Sequence, residues 1–279
     1  MTRARASVVI PAHDEAAGIG RLLHRLLDTA EPGELEVVVA ANASTDATVS
    51  VTSGFAGVTV LDLPVASKVA ALNAADEVAT VFPRIYLDAD IDLTLDSLRL
   101  VVDELSGGTP AAAPAIVVDT RGCGPGVRAY YAIWSRLGYA RHHLLGAGVY
   151  GLSEAGRARF GRFPDVLNDD QFVYDHFRHD ERVNPPGSTF TVRAPRTLRA
   201  VYRRGTRIAL GNLQLRTLGR PVTAPGPTWR GVLLAEPWLA PAVAAYVAMK
   251  VLMRTAAARR LRSGSFGDWG RDDSSRVAP

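Results

Sequence analysis

The stretch YLDADIDL, residues 86–93, ends an apolar run with two carboxylates, Asp88 and Asp90. In an extended chain the side chains at positions i and i+2 point to the same face, so these two acids would repel each other unless a positive charge lay between them. A divalent cation is the natural candidate for that charge. The alternative is that both acids only start a turn or cap the helix that follows.

Around this stretch, β-branched runs alternate with helical patterns over residues 1–120. The predicted strands are Ala6–Ile10, Leu35–Ala40, Val58–Leu63, Arg84–Ala89 and Ala113–Asp119, and the predicted helices are Ala16–Asp28, Thr45–Ser53, Ser67–Thr80 and Leu95–Leu105. Strands that are apolar on both faces and alternate with helices indicate a parallel sheet covered on both sides. The sequence therefore predicts the α/β class.

Three polar clusters follow the first, second and fourth predicted strands. They are PAHDE (Pro11–Glu15), ANASTDAT (Ala41–Thr48) and DADID (Asp88–Asp92). In open sheets of this kind the ligand binds outside the carboxyl ends of the strands. We therefore expect all three clusters to face one crevice.

The composition indicates a globular protein, because 47% of the 279 residues are hydrophobic. The single cysteine, Cys123, cannot form an internal disulfide, and the apolar run before Pro11 is too short for the core of a signal peptide, so we expect a cytoplasmic protein. The basic run Arg196–Arg207 is either a solvated face or a contact for phosphates or acidic lipid. No aromatic interleaving supports a nucleic-acid groove, so we expect no nucleic-acid partner.

The chain changes character twice after the alternating region 1–120. Residues 121–225 are rich in glycine, aromatic and acidic stretches without βα alternation, and they end in the Pro-rich connector PVTAPGP (Pro221–Pro227). Residues 226–279 comprise an apolar and basic segment followed by a polar tail. We therefore predict three parts with boundaries near residues 120 and 225.

Five stretches together resemble, in order and spacing, the motif series of the family 2 glycosyltransferases with the GT-A fold: VVIPAHDE, NASTDAT, SKVAALNAA, YLDADIDL and FPDVLNDDQFV. The resemblance implies a Rossmann-like, mostly parallel sheet flanked by helices, a smaller acceptor-binding lobe and a C-terminal helical segment. It also implies inverting transfer of a sugar from a nucleoside diphosphate sugar to a glycan, lipid-linked or small-molecule acceptor. Residues 1–120 would then bind the donor and residues 121–225 would bind the acceptor and supply the base.

The resemblance also implies roles for individual residues. Asp90 matches the family's metal position, with Asp88 beside it or nearer the ribose, and Mg²⁺ or Mn²⁺ suits such oxygen ligands. Lys68, one of only two lysines, would lie near the diphosphate. The remaining donor-binding or sugar-bordering positions are Pro11, Ala12, His13, Glu15, Asn42, Asp46 and Gly148. The chain departs from the pattern at Asn42, where many relatives have an acid, and at Ala43, where many have glycine.

The acidic pair in NDDQF matches the family's general base, and we predict that Asp170 is the base and that Asp169 contacts the substrate. The alternative is that both acids only stabilise a helix N-terminus. Two rival functions stay open from the sequence: a nucleotidyltransferase, and a sugar-nucleotide-binding protein without catalysis. The Ala- and Arg-rich composition suggests a bacterial source and a role in envelope glycan, glycolipid or secondary-metabolite synthesis.

The C-terminal segment carries no charge from Pro237 to Met249, a run shorter than the ~20 residues that span a bilayer, and Pro241 is expected to interrupt it. Five cations follow this run: Lys250, Arg254, Arg259, Arg260 and Arg262. This pattern suits an interfacial helix on anionic lipid at the inner face of a membrane. A helix packed on the catalytic lobe or on another subunit fits it equally well.

Overall fold

The computed structural model describes residues 4–141, 145–219 and 228–263. The chain divides into two compact units. Unit 1 comprises Met1–Ile116, His143–Asp165 and His176–Thr191, and unit 2 comprises Val117–His142, Val166–Asp175 and Val192–Pro279. The predicted connector 221–227 and the polar tail lie outside the described residues. The predicted division of function at residues 120 and 225 stays a prediction.

Within the described residues the strands are β1 (Ala6–Ala12), β2 (Leu35–Asn42), β3 (Val58–Leu63), β4 (Arg84–Leu87), β5 (Asp92–Leu93), β6 (Ala111–Ala112), β7 (Ala115–Asp119), β8 (Val149–Leu152), β9 (Arg182–Val183) and β10 (Thr189–Arg193). The helices are α1 (Ala16–Leu27), α2 (Thr48–Ser53), α3 (Lys68–Val78), α4 (Leu95–Ser106), α5 (Pro125–Trp134), α6 (Gly138–Arg141), α7 (Glu154–Arg157), α8 (Asp169–Tyr174), α9 (Leu198–Thr217), α10 (Trp229–Ala235) and α11 (Ala240–Arg262).

Seven strands form one sheet in the order β3-β2-β1-β4-β8-β6-β9. Strands β1 to β4 run parallel, and β8 is antiparallel to both β4 and β6. Every residue of β1 is buried, because this strand lies between β2 and β4 and is covered on both faces. The mostly parallel α/β sheet predicted from the sequence is therefore confirmed, as are its first four strands and the four helices that follow them.

One strand prediction is wrong in its placement. Residues 113–119 were expected to extend the parallel sheet, but β7 belongs to a separate three-stranded sheet in the order β5-β10-β7. The reason is its exposure, since Ala115 is exposed and Val117 is 47% exposed. A strand inside a doubly covered sheet is buried on both faces, and β7 is not. The antiparallel β8, which is fully buried, lies beside β4 instead.

A buried ion cluster joins three elements of unit 1. The Asp76 carboxylate, on α3, accepts hydrogen bonds from the Tyr86 hydroxyl at 2.6 Å and from Nε of Arg157 at 2.8 Å, and it pairs with Arg84. Burial alone would raise the pKa of Asp76, but the hydrogen bonds from Tyr86, Arg84 and Arg157 outweigh it and hold that pKa below its ordinary value. The charged carboxylate therefore fixes the end of α3 to β4 and α7.

Unit 2 is built around helices α5, α9 and α11. Its core includes Val127, Tyr130, Val201, Tyr246 and Met253. A Cβ on Gly205 of α9 would lie 2.2 Å from the Met253 sulfur, so any side chain at this position would require Met253 of α11 to move.

The expectations for the C-terminal segment need two corrections. Pro241 does not interrupt the helix but lies in the first turn of α11, where its missing N–H has no intrahelical partner to lose. Residues Pro237–Arg262 form a helical segment long and apolar enough to cross a membrane by length and composition alone, so the expectation that the segment is too short is wrong. Only 17% of its most apolar part is buried in the fold.

We predict that Asp76→Ala lowers the free energy of unfolding by about 3–5 kcal/mol, because two buried guanidinium groups lose their carboxylate. The next residue supplies the control, since Glu77 forms an exposed ion pair with Arg162 and Glu77→Ala should cost less than about 1 kcal/mol. Because the pKa of Asp76 is lowered, the difference from wild type should shrink as the pH falls below about 4. Urea denaturation at several pH values measures this, and equal losses in the two variants would contradict it.

Candidate active site

The three polar clusters lie at one edge of the sheet in unit 1. Strands β1, β2 and β4 are parallel, with Ala12 of β1 beside Ala41 of β2 and Val9 of β1 beside Tyr86 of β4. Their carboxyl ends therefore point the same way, and the loops that follow them carry the predicted donor-binding residues. Pro11 and Ala12 are themselves buried within the end of β1.

The loops after β1 and β2 are tied together by their own polar groups. Nδ1 of His13 lies 2.6 Å from the carbonyl oxygen of Asn42, and the Asn42 amide donates to the carbonyl of Ala12 at 2.9 Å. Asn42 is only 3% exposed, and the backbone N–H of the buried Glu15 donates to Oγ1 of Thr48 at 2.7 Å. The Asn42 side chain therefore holds the loop through one of its two amide hydrogens.

Sequence reasoning missed Asp14, which links the same two loops. Oδ1 of Asp14 accepts hydrogen bonds from the backbone N–H of Thr45 at 2.7 Å and of Asp46 at 3.3 Å. The bond from Thr45 lowers the pKa of Asp14. The residue has a positive φ of 49°, which aspartate tolerates better than most residues. An aspartate between a strand and a helix is a signal for such a turn.

Asp46, in the loop after β2, accepts hydrogen bonds from the backbone just as Asp14 does in the loop after β1. Its Oδ2 accepts from the backbone N–H of Ala16, the first residue of α1, at 3.0 Å, and its Oδ1 accepts from that of Thr48 at 2.9 Å. Burial would raise the pKa of Asp46, yet the hydrogen bonds from Thr48 and Ala16 hold it below its ordinary value. Asp46 therefore anchors the start of α1.

The charge next to Asp88 is an ammonium group. Nζ of Lys68 lies 2.8 Å from Oδ1 of Asp88, and both side chains are partly exposed. Lys68 is the first residue of α3, whose start is fixed by Ser67 accepting from the N–H of Ala70 at 3.1 Å. The fold therefore places Lys68 beside the first of the two acids after β4, and its role toward a diphosphate stays a prediction.

The backbone around Asp88 and Asp90 corrects one expectation. Strand β4 ends at Leu87, and the N–H of Ile91 donates to the carbonyl of Asp88 at 3.2 Å, so the chain turns here instead of continuing as an extended strand. The i and i+2 rule for strands therefore does not apply to the two acids. The turn leaves Asp90 exposed and Asp88 half-buried.

Gly148 closes this corner of the site. Its carbonyl accepts from the N–H of Asp88 at 2.7 Å, and its φ of +103° lies where residues with a side chain are strained. A Cβ at this position would lie 2.6 Å from Cδ1 of Ile91 and 3.3 Å from Oδ2 of Asp88. Glycine is therefore required for the backbone to approach the Asp88 turn.

The residues present fit a divalent cation that binds together with a diphosphate. Asp88 and Asp90 offer hard carboxylate oxygens, which Mg²⁺ and Mn²⁺ prefer. In residues 4–141, 145–219 and 228–263 there is no group of three or more Cys, His, Asp and Glu side chains that could hold a metal ion. Mg²⁺ commonly uses only one or two carboxylates and takes its other ligands from water and substrate phosphates, so this small donor set is sufficient.

The predicted acidic pair begins helix α8 in unit 2. Asp169 is 3% exposed, whereas Asp170 is half-buried, and Oδ1 of Asp170 accepts from the N–H of Gln171 at 2.8 Å. The preceding residue, Asn168, donates from its amide to the Ile208 carbonyl at 2.9 Å and to Oδ1 of Asn212 at 2.7 Å. Helix α9 therefore positions the acids through Asn168.

Comparison with known proteins gives a family match. The family model described as glycosyl transferase family 2 matches residues 7–158, which is more than half of the chain. The match includes the loops after β1, β2 and β4, Lys68 and Gly148. No curated protein matches the sequence.

Solved structures of glycosyltransferases share the fold. The mannosyltransferase PcManGT from Pyrobaculum calidifontis, in complex with GDP-Man and Mn²⁺, is 24% identical with a TM-score of 0.62, over 96% of this chain and 77% of that one. Glucosyl-3-phosphoglycerate synthase from Mycobacterium tuberculosis, with Mn²⁺, UDP-glucose and phosphoglyceric acid, is 19% identical with a TM-score of 0.53, over 78% and 81%. TarS 1–349 from S. aureus with UDP-GlcNAc is 15% identical with a TM-score of 0.52, over 94% and 93%.

We predict that Gly148→Ala destabilises unit 1 more than Gly57→Ala does. Both glycines have a positive φ, but a Cβ at Gly57 meets nothing within 4 Å, so that variant carries only the backbone strain of about 1–2 kcal/mol. The clash with Ile91 should add about 1–3 kcal/mol at Gly148. Urea midpoints of the two variants measure the difference, and a Gly148→Ala protein as stable as Gly57→Ala would show that the corner relaxes freely.

Proposed function

We propose, starting from the fact that the chain belongs to glycosyl transferase family 2, that it transfers a sugar from a nucleoside diphosphate sugar to an acceptor hydroxyl with inversion at the anomeric carbon. The chain is a glycosyltransferase with the GT-A fold. The observation that carries the donor proposal is the Lys68–Asp88 pair, which lies at the carboxyl end of β4 within the matched region. Nucleotide sugars bound by solved relatives of the same fold support it.

The donor is proposed to bind at the loops after β1, β2 and β4. Pro11, Ala12, His13 and Glu15 would shape the nucleotide pocket, with Asn42 and Asp46 holding the second loop against the first. Lys68 would provide a compact positive charge for the diphosphate. Because the sugar transfer expels a nucleoside diphosphate, negative charge grows on the leaving oxygen and a fixed ammonium group stabilises it. Gly148 would let the backbone border the donor sugar.

The divalent cation is proposed to be held by Asp90, with Asp88 as its neighbour. When bound, the cation would neutralise charge on the diphosphate. Mn²⁺ in the complexes of PcManGT and of the glucosyl-3-phosphoglycerate synthase supports Mn²⁺ or Mg²⁺ as the ion. The exposed position of Asp90 in the turn leaves it accessible to an ion that arrives with the donor.

We predict that one of UDP-, GDP- or dTDP-sugars raises the melting temperature of the protein, and that Mn²⁺ increases the shift, because binding to the native state stabilises it by mass action. Asp90→Asn should retain part of the nucleotide shift and lose its dependence on Mn²⁺. Asp92→Asn, in the same segment, removes an exposed charge that pairs with Arg25 and is the control. If none of the nucleotides shifts the melting temperature, the donor proposal is wrong.

The general base is proposed to be Asp170, because it is the more accessible member of the pair. Asp169 is 3% exposed and is better suited to hold the segment or touch the substrate. A base must reach the proton of the acceptor hydroxyl, so a half-buried carboxylate suits this task better than a fully buried one. If Asp170 is the base, Asp170→Asn retains donor binding without turnover; if Asp169 is the base, Asp169→Asn does.

We predict that Asp170→Asn lowers turnover by about 10²–10⁴-fold while the nucleotide-dependent melting shift stays unchanged, because general base catalysis contributes about this factor. Asp169→Asn should mainly lower stability, since its carboxylate is buried. Sugar transfer, measured once the donor is known, separates the two. A fully active Asp170→Asn would move the base to Asp169 or to another residue.

Rival functions make different predictions for the same assays. A sugar-nucleotide-binding protein without catalysis would bind the donor but form no product with any acceptor. The family match disfavours the nucleotidyltransferase that the sequence left open, which would release pyrophosphate from a nucleoside triphosphate and be little affected by Asp170→Asn. A role in bacterial envelope glycan, glycolipid or secondary-metabolite synthesis is the proposed setting for the glycosyl transfer.

We also propose a cytoplasmic protein whose unit 2 contacts the inner face of a membrane. Large apolar side chains are exposed on α10, on α11 and on the short turn between them: Leu234 is 83% exposed, Trp238, in the turn, 72%, Val251 53% and Leu252 55%. The last turn of α11 is basic, with Arg259, Arg260 and Arg262. Exposed tryptophan and leucine suit the interface of an anionic bilayer, where apolar tips insert, and the arginines, about 30 Å further along α11 from Trp238, suit contact with lipid phosphates.

We predict that the protein sediments with vesicles containing phosphatidylglycerol more than with pure phosphatidylcholine, and that Leu234→Ser combined with Trp238→Ser weakens this binding several-fold. Val65→Ser is the control, because Val65 is 58% exposed in unit 1 and lies outside the proposed surface. Equal sedimentation of the double variant and the wild type would exclude this face as the lipid contact.

A further inference from the structure

Unit 2 has an excess of positive charge that its own chain does not balance. From Arg182 to Arg262 the only acidic residue is Glu236, and Glu236 pairs with Arg136 at 2.8 Å. Helix α9 carries a group of arginines, Arg199, Arg203, Arg204 and Arg207. Across the described parts of the chain, none of these four has a carboxylate within ion-pair distance.

Arg204 and Arg207 lie on the same side of α9 as the residues that contact the segment before the acidic pair. The N–H of Leu167 donates to Oε1 of Gln214 at 3.0 Å, and a Cβ on Gly211 would lie 2.5 Å from the Asn168 side chain. Arg204 precedes Gly211 by seven residues and Arg207 precedes Gln214 by seven. Seven residues are almost two helical turns, so each arginine lies on the same side of α9 as its partner position, about 10 Å away along the axis.

Leu167 lies at Gln214 and Asn168 at Ile208, so the segment runs toward the N-terminus of α9 and leads Asp169 and Asp170 toward the part of the helix that carries the two arginines. Arg204 also interacts electrostatically with Tyr130 of α5. Side chains on a helix lean toward its N-terminus. The two guanidinium groups therefore extend away from the residues of α9 that contact Asn168 and do not cover them. Both arginines are half-buried. A partly desolvated guanidinium without a carboxylate is costly, and an anionic ligand offsets that cost.

We propose that Arg204 and Arg207 bind a phosphate group carried by the acceptor, beside the acidic pair of unit 2. The inference deepens the proposed function and rests on it, since only a glycosyl transfer makes this surface an acceptor site. Phosphate suits the arrangement because the planar guanidinium fork binds phosphate oxygens in pairs. The acceptor class assigned in this way is a hydroxyl compound that bears a phosphate, either soluble or at a lipid headgroup.

Phosphate binding is tested on the full-length protein with inorganic phosphate as the probe. Melting temperatures are measured over a series of phosphate concentrations, at constant ionic strength set with chloride, and with the donor nucleotide saturating so that the donor site is occupied. The variants are Arg204→Gln with Arg207→Gln, and the single variant Arg216→Gln. Arg216 is an exposed arginine nine residues after Arg207, which places it on the opposite side of the same helix.

The expected result is a phosphate-dependent rise in melting temperature for the wild type and for Arg216→Gln, with phosphate affinity about tenfold weaker in the double variant. Equal phosphate shifts in all three proteins, or no shift in the wild type, would overturn the proposal. The melting temperature without phosphate shows that the double variant is folded. An unchanged nucleotide shift in that variant separates loss of this site from failure of the donor proposal.

Vesicles distinguish the two sources of phosphate. Phosphatidic acid carries a phosphomonoester headgroup, so its vesicles are compared with pure phosphatidylcholine vesicles for the wild type and the double variant. A lipid-borne phosphate predicts that the double variant loses its preference for phosphatidic acid. A soluble acceptor predicts that only the inorganic phosphate shift is lost. Either pattern supports the site, and a double variant that keeps both responses overturns it.

Discussion

The parallel pairing of β1 with β2 on one side and β4 on the other is the constraint on which the candidate site depends. Parallel strands have their carboxyl ends at the same edge, so three loops whose starting points, after Ala12 and Leu87 at the extremes, are 75 residues apart in the chain meet there. Ser7 also ties the start of β1 to the residues before β4, because its hydroxyl donates to the carbonyl of Val81 at 2.7 Å and accepts from the N–H of Val81 at 3.0 Å. The loops need no other device to be brought together.

Carboxylates then fix the loops in place. Asp14 and Asp46 accept hydrogen bonds from backbone N–H groups of the opposite loop, and Asp88 pairs with the lysine that begins α3. Ala43 lies in the same region with a positive φ of 47°, which explains why glycine is favoured at this place in the resembling motif. Hydrogen bonds and an ion pair of charged side chains thus hold the loops of the site to one another and to α3. The sheet beneath them is held by backbone pairing of strands distant in sequence.

The sequence predicted the βα alternation and the edge at which the polar clusters lie, because burial on both faces and turn residues leave a clear pattern. It did not predict that β7 leaves the main sheet, since an apolar run does not show which neighbour will cover it. The sequence left the turn at Asp88 only as an alternative, because spacing alone cannot separate a strand from the residue where it ends. The Asp76 cluster was missed because its partners Arg84 and Arg157 are brought together only by the fold.

Helix α3 carries Lys68 at its start and Asp76 eight residues later, and both ends are fixed by partners on or just after β4. One inserted or deleted residue between them would turn one end by about 100° relative to the other. Either Lys68 would leave Asp88 or Asp76 would leave its two arginines. The length of this helix is therefore fixed by its two ion pairs, and the loop that follows it is tied as well, through Thr80 and Val81 to Glu36.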